Sequence, residues 1–373
     1  MIYLDNAATT KTDDEVLQAM LPFLRENFGN PQSQHAVGRA AANALTSARD
    51  KVARILGCNA DEVYFVSGGT EAGNTALKGV CSARGCGHLV LSAIEHPALL
   101  ESAKDLKDGF DVTYIKPGKN GIIDPADVAN ALREDTIFCA VMSANNEVGT
   151  IQLCGEIGEI CKKRGVFYYT DCVQSAGVLP FNVNSCNALG ISAHKFYGPR
   201  GAGVIYIKKG SRLSRLISGG RQERGFRGGT VDVAGAVGCA VALERAVNSS
   251  DDNNKKIGSL RDVFVKRVLS EIEGTHLNGD KDRRVPSNAN ISFDGCDGEN
   301  LLFLLDMKGI CVSTGSACSA GAVSPSHVLT AMGLDESRVK SAVRFTFGKY
   351  NTQEEVDFTI EALKEAVNKI RNK

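Results

Sequence analysis

Short runs rich in Val, Ile, Phe and Tyr recur along this chain, and the linking segments between them include several with apolar side chains at helical spacing. EVYFVSGGT, HLVLSAIEH, FDVTYIKP, TIFCAVMSA, VFYYTDCVQ and GAGVIYIKKG each carry the signature of a strand. Ahead of them, RAAANALTSARDKVARIL at 39–56 has the apolar period of a helix and stops before Gly57. Strands joined by helical crossovers lie mostly parallel, and a parallel sheet has to be covered on both faces. The pattern therefore predicts an α/β fold, a mostly parallel sheet wrapped by helices. With 373 residues there is length for a large domain and a smaller one.

A transition falls near residue 250, where SSDDNNKKIGSL is the most polar stretch and precedes the amphipathic RDVFVKRVLSEI. Beyond it NANISFDG and VRFTFGKY read as strands, and ENLLFLLDMKG and the run from about Thr352 as helices. Between them, STGSACSAGAVSPS buries little and predicts a mobile loop. The expected division is a large domain over 13–250 and a smaller α+β domain from 1–12 and 251–373, which carries that loop at about 313–326.

Composition removes several function classes. Lys plus Arg and Asp plus Glu number 43 each, a balance with no electrostatic footprint for nucleic acid or an anionic membrane. No stretch approaches the roughly 18 apolar residues of a membrane helix, and MIYLDNAATT has neither a basic nor an apolar signal region. A soluble, cytoplasmic protein is expected, with its twelve cysteines as reduced thiols. Without CxxC or HExxH, and with six dispersed histidines, no local metal signature is present.

Neither a Walker A sequence nor a GxGxxG opening a helix after a strand explains the glycines. SGGTEAGN at 67–74 is a strand-to-helix turn in which Thr70 either caps the helix or, with the following amides, holds an anion. GGRQERGFRGGT at 219–230 is either a solvated loop or a phosphate or carboxylate site. Two further strings give these company. TDCVQSAG at 170–177 puts an acid at a strand end, and SAHKFYGPRGAG at 192–203 puts a lysine on a later turn. These are the two fixed groups that pyridoxal phosphate needs, Asp171 to pair with the protonated ring nitrogen and Lys195 to form a Schiff base.

Taken in order with YLDNAATT, FGNPQSQH, EHPALL, NNEVGTIQ, STGSACSAG and VRFTFGKY, these strings resemble the cysteine desulfurases of the NifS/IscS type, among the class V aminotransferases. The resemblance runs over almost the whole chain. It implies a fold type I pyridoxal-phosphate enzyme whose large domain holds a mostly parallel, seven-stranded-type sheet. It also implies a homodimer that takes sulfur from L-cysteine and leaves L-alanine. By matching motif positions, Lys195 would hold the cofactor, Asp171 would pair with its ring nitrogen and His96 would stack on the ring, with an acid-base role left open. Gln174 and Asn146 would hold the phenolic oxygen. Thr70, Ser192 and His194 would bind the phosphate, joined by Thr230 of the partner subunit. Arg344 would grip the substrate carboxylate, and Cys318 would take the sulfur as a persulfide.

Two positions depart from the family's pattern: Cys172 follows the ring-binding aspartate, and Ala193 stands where glycine is frequent. The long loop around Cys318 looks like that of the group serving iron–sulfur and thio-cofactor assembly. The implied acceptors are an iron–sulfur scaffold or a tRNA-thiolation enzyme, with no direct contact to nucleic acid or membrane. A selenocysteine lyase or another class V transaminase would share the same machinery. A non-enzymatic sulfur or metal scaffold is the alternative of a different class, and it leaves Asp171, Gln174, His194 and Lys195 unexplained.

Overall fold

The computed structural model describes residues 1–314 and 325–372. Among these residues the strands form three sheets. Strand β1 is Ile2–Tyr3, followed by β2 Val63–Val66, β3 Gly87–Ser92, β4 Phe110–Ile115 and β5 Thr136–Ala140. Then come β6 Phe167–Asp171, β7 Ala188–Ser192 and β8 Gly203–Ile207. Strands β2 to β8 form one seven-stranded sheet in the order β2-β8-β7-β6-β5-β3-β4. Its pairs are parallel except at β8, which runs antiparallel to β2 and β7. The α/β architecture and mostly parallel sheet expected from the alternation are thus present.

The strand with the weakest sequence signal is β7, ALGIS, which lacks aromatic residues and contains a glycine. The glycine has a packing reason. A Cβ at Gly190 would stand 2.5 Å from Tyr169 Oη and 2.8 Å from Ala72 Cβ, so it lets the Gly69–Arg84 helix and β6 close on β7. Both faces of the sheet are buried, as a parallel sheet requires: Tyr168 packs into one core and its neighbour Tyr169 into the other. The 39–56 helix signal corresponds to the Ala36–Leu56 helix, which ends on Gly57 in the left-handed conformation (φ 74°).

A separate core lies in the C-terminal third. Strands β9 Thr275–Asn278, β10 Asn288–Phe293 and β12 Ala342–Thr346 form an antiparallel sheet in the order β12-β10-β9, while β11 Ile310–Cys311 pairs with β1. Phe264, Phe293, Phe345, Phe347 and Leu363 fill this core together with Leu4 from the other end of the chain. The polar stretch near 250 is not a linker: it forms the first half of the Ser250–Glu271 helix and buries Ile257 and Leu260. A capping box of Thr352 and Glu355 starts the closing Gln353–Arg371 helix. None of the described helices is long and apolar enough to cross a membrane.

The N-terminal segment joins the two regions. Thr346 N–H donates to the Leu4 carbonyl and Asn6 N–H to the Thr346 carbonyl, so residues 4–6 run beside β12. Four residues on, Thr10 N–H donates to the carbonyl of His194, in the turn after β7.

Candidate active site

Open α/β sheets place ligands beyond the carboxyl ends of their strands. Here those ends border a cavity of about 530 Å³ lined by Thr70, His96, Asn146, Asp171, Gln174, Ser192, His194, Lys195 and Arg344. Positions drawn from six separate stretches of sequence therefore converge. Thr230 is exposed and lies outside this cavity in its own chain. Cys318 lies outside the described residues.

One end of the cavity is built for an anion. Gly68, not Thr70, is the N-cap of the Gly69–Arg84 helix, with φ 150° and no side-chain cap bond, so no side-chain cap satisfies the first N–H groups. A Cβ at Gly68 would stand 3.2 Å from Ser192 Oγ, filling the cradle between helix start and strand end. Thr70 and Ser192 line this end, with Arg200 nearby on the cavity wall. The His194 ring sits 3.1 Å from Thr9 Oγ1, and burial, then the charges of Lys195 and Arg200, lowers its pKa to about 4.

Lys195 stands in the short turn after β7. Its Nζ donates to the carbonyls of Ala7 at 2.8 Å and Ala8 at 2.7 Å. Gln174 Nε2 donates to the same Ala7 carbonyl at 3.1 Å. Asp171 ends β6, with Oδ1 accepting from Val173 N–H at 2.8 Å. Burial raises its carboxyl to about 6, partly offset by the Val173 bond and by Lys195. A buried carboxylate this costly calls for a cationic partner in the cavity.

His96 caps the Pro97–Lys104 helix, and its Nδ1 accepts from Ala98 N–H at 3.1 Å. Burial, then the charges of Lys195 and His327, lowers its pKa to about 4. The ring is therefore neutral near pH 7, and with Nδ1 accepting, its proton sits on Nε2. Beside it Glu95 is fully buried, Oε1 accepting from Ser92 Oγ at 2.5 Å and Met142 N–H at 2.7 Å. Its Oε2 has no partner among the described residues, and burial pushes its pKa to about 8.

The arginine–glycine loop resolves differently from a free anion site. Arg227 pairs with Glu71 at 2.8 Å, and Arg224 donates to the Val63 carbonyl while lying 4.2 Å over the Tyr64 ring. Buried Glu223 accepts from Arg49 and from Phe65 N–H. These side chains fasten the loop to the sheet edge. Sequence reading also passed over Asp5, Ala7, Ala8 and Thr9. YLDNAATT was visible as a string, but the contribution of Ala7 and Ala8 is made by backbone carbonyls, which leave no trace in residue type.

As a whole, the cavity brings together an anion cradle, a buried carboxylate, an amine and a guanidinium. Known proteins are similar to this chain in sequence and in fold. The family model described as aminotransferase class-V matches residues 2–358. A protein named cysteine desulfurase IscS from Dictyoglomus turgidum is 44% identical over 99% of this chain and 95% of its own length. Another of that name, from Methanosarcina thermophila, is 44% identical over 100% of this chain and 93% of its own. Among solved structures, a NifS-like protein superimposes with TM-score 0.92 at 37% identity, covering 98% of this chain and 99% of its own. SspA in complex with cysteine does so with TM-score 0.84 at 32% identity, covering 94% and 100%. Matched over nearly its full length by family model and relatives alike, this chain belongs to the class-V aminotransferase family.

Proposed function

We propose that this protein is a pyridoxal-phosphate-dependent cysteine desulfurase, which converts L-cysteine to L-alanine and leaves the sulfur on Cys318 as a persulfide. The observation that carries the reading is the convergence of Lys195, Asp171, the uncapped helix start and Arg344 on one cavity. Relatives named cysteine desulfurase and a neighbour holding cysteine support it.

The residues fit the cofactor. Gly68 leaves a cradle that any Cβ would fill, beside N–H groups that no side chain caps, suited to a phosphate with Thr70, Ser192 and His194 around it. Asp171, whose carboxyl burial raises to about 6, would gain a cationic partner in a protonated ring nitrogen. Lys195 would supply the amine for the cofactor's carbonyl carbon, His96 would lie against its ring, and Gln174 and Asn146 would hold its phenolic oxygen; all four line the cavity. When bound, the cofactor supplies the electron sink that allows the substrate α-proton to leave. Lys195 Nζ, held by the Ala7 and Ala8 carbonyls, takes that proton. Arg344 holds the carboxylate, and neutral His96 presents an Nε2 proton. The Cys318 thiolate attacks the substrate sulfur: the C–S bond breaks, an S–S bond forms, and the substrate carbon is protonated to alanine.

The same reading takes the chain as a large domain of 13–250 and a small one of 1–12 and 251–373; the core around Phe264, Phe345 and Leu4 supports it, while Val328, Leu329, Met332, Val339 and Ala342 pack into the core of the large sheet. It takes the working form as a homodimer, which gives exposed Thr230 a place in the partner's cavity. On this reading the sulfur goes on to iron–sulfur assembly or tRNA thiolation in a cytoplasmic setting, in keeping with the free thiols of the described cysteines. The test is the visible spectrum of protein given pyridoxal phosphate, before and after L-cysteine, with alanine and sulfide assayed under reductant. A new band, perturbed by cysteine and accompanied by both products, is expected. A coloured protein that makes no alanine would favour a transaminase, and one that takes up no cofactor would favour the scaffold.

A further inference from the structure

The N-terminal segment carries an acid that the proposed reaction leaves without a role. Asp5 lies in the stretch that runs beside β12, in bridge contact with Thr346, two residues from Arg344. Its Oδ1 accepts from Arg344 Nη2 at 2.9 Å. The side chains are 19% and 4% exposed, so the pair is shielded from water and salt in a way that surface ion pairs are not. On the other side of the guanidinium, Nη1 donates to the Asn146 carbonyl at 3.0 Å. Nε is buried and has no partner among the described residues, although Arg344 lines the cavity.

A guanidinium is a planar fork of five N–H donors, and a carboxylate is best held by two of them in parallel. An arginine free to rotate has to be ordered when its ligand binds, at a cost in side-chain entropy. Here that cost is met before any ligand arrives. Asp5 fixes one terminal nitrogen and the Asn146 carbonyl fixes the other, and Nε remains unused. Asp5 also supplies the counter-charge that a buried cation needs while the cavity holds no carboxylate. We propose that Asp5 is a positioning residue that presets Arg344 for the carboxylate of the amino-acid substrate. The inference rests on the function proposed above and extends it to the origin of carboxylate selectivity.

The experiment titrates cofactor-loaded protein with L-alanine and, separately, with L-alaninamide, following the visible band. Alanine carries the carboxylate, and the amide keeps the rest of the molecule. Asp5→Ala is expected to weaken alanine on the order of tenfold while leaving the amide within about twofold. Asp5→Asn, which keeps the shape and an acceptor oxygen, falls between parent and Asp5→Ala, and guards against a variant that folds poorly. For L-cysteine, KM rises more than kcat falls. Equal loss for both ligands makes Asp5 a general structural residue and overturns the proposal. Unchanged or tighter alanine binding overturns it too, since Asp5 would then be inert or a competitor. A parent protein whose band ignores alanine contradicts the proposed function, and this inference with it.

Discussion

The two walls of the cavity are built by different means. On the sheet wall, His96, Asp171 and Ser192 to Lys195 follow directly from the ends of β3, β6 and β7, where a strand stops and a turn delivers a side chain. On the facing wall, the N-terminal segment meets β12 across 339 positions of sequence, and acts through the carbonyls of Ala7 and Ala8 and the carboxylate of Asp5. The sheet wall carries the groups that react, while the facing wall holds Lys195 through the Ala7 and Ala8 carbonyls and carries Arg344, itself bonded to Asp5. Local chain geometry suffices for the first, whereas the second depends on both cores being assembled.

The largest effect tests the sheet wall. Lys195→Ala is expected to lower turnover by at least roughly a thousandfold, as for other residues that act as a covalent and proton-transfer unit. Its absorption band with added pyridoxal phosphate should also lose its response to cysteine. A variant with near-parental turnover would place the chemistry elsewhere.

Asp171→Asn separates function from stability. Turnover should fall on the order of a hundredfold. The pKa of the folded-state carboxyl is raised to about 6 from 3.8, so the folded protein binds the extra proton between those values. Its contribution to stability is therefore lost as pH rises from about 4 to 6, and the penalty persists above that. Cofactor-free Asp171→Asn should accordingly melt higher than its parent at pH 8, with the margin shrinking toward pH 4. His96 and His194 act with the opposite sign. Their folded pKa values, lowered to about 4, give stability present above about 6.5 and lost as pH falls toward 4.

A smaller effect tests the packing beneath the sheet wall. Gly190→Ala forces a Cβ against Tyr169 Oη and Ala72 Cβ and should cost about 1–3 kcal/mol in chemical denaturation. Loss of less than about 0.5 kcal/mol would show that the helix and strand can separate freely.

The smallest change in turnover is expected at Glu95, which is buried behind the sheet wall next to His96 and does not line the cavity. Glu95→Gln should change kcat by less than about threefold. Because burial raises the Glu95 carboxyl to about 8, the parent loses stability as pH rises from about 5 to 8 and then levels off. The margin of the variant over the parent should widen across that window. A large loss of activity would make Glu95 part of the chemistry and blur the distinction between the walls.

This asymmetry also explains what was legible in the sequence. Strands, helix stops and the clusters around Asp171 and Lys195 are local patterns of residue type, and six of the seven strands of the large sheet answer to them, whereas positions such as Asn146 and Arg344 were named only through the family resemblance. Strand β7 was not legible, because Gly190 answers to Tyr169 and Ala72 rather than to strand propensity. The Arg224 and Arg227 side chains had the right type for anion binding but were engaged by Val63, Tyr64 and Glu71, partners that spacing does not reveal. Asp5 was present in a quoted motif, yet its role needs β12 alongside it.

The most direct test of the whole account is a single turnover of L-cysteine by cofactor-loaded protein, followed by mass spectrometry of its peptides and an assay for alanine. The account predicts one alanine per chain and a mass increase of one sulfur atom on the peptide bearing Cys318. Alanine formed with no sulfur on that peptide, or with the sulfur on another cysteine, would contradict it.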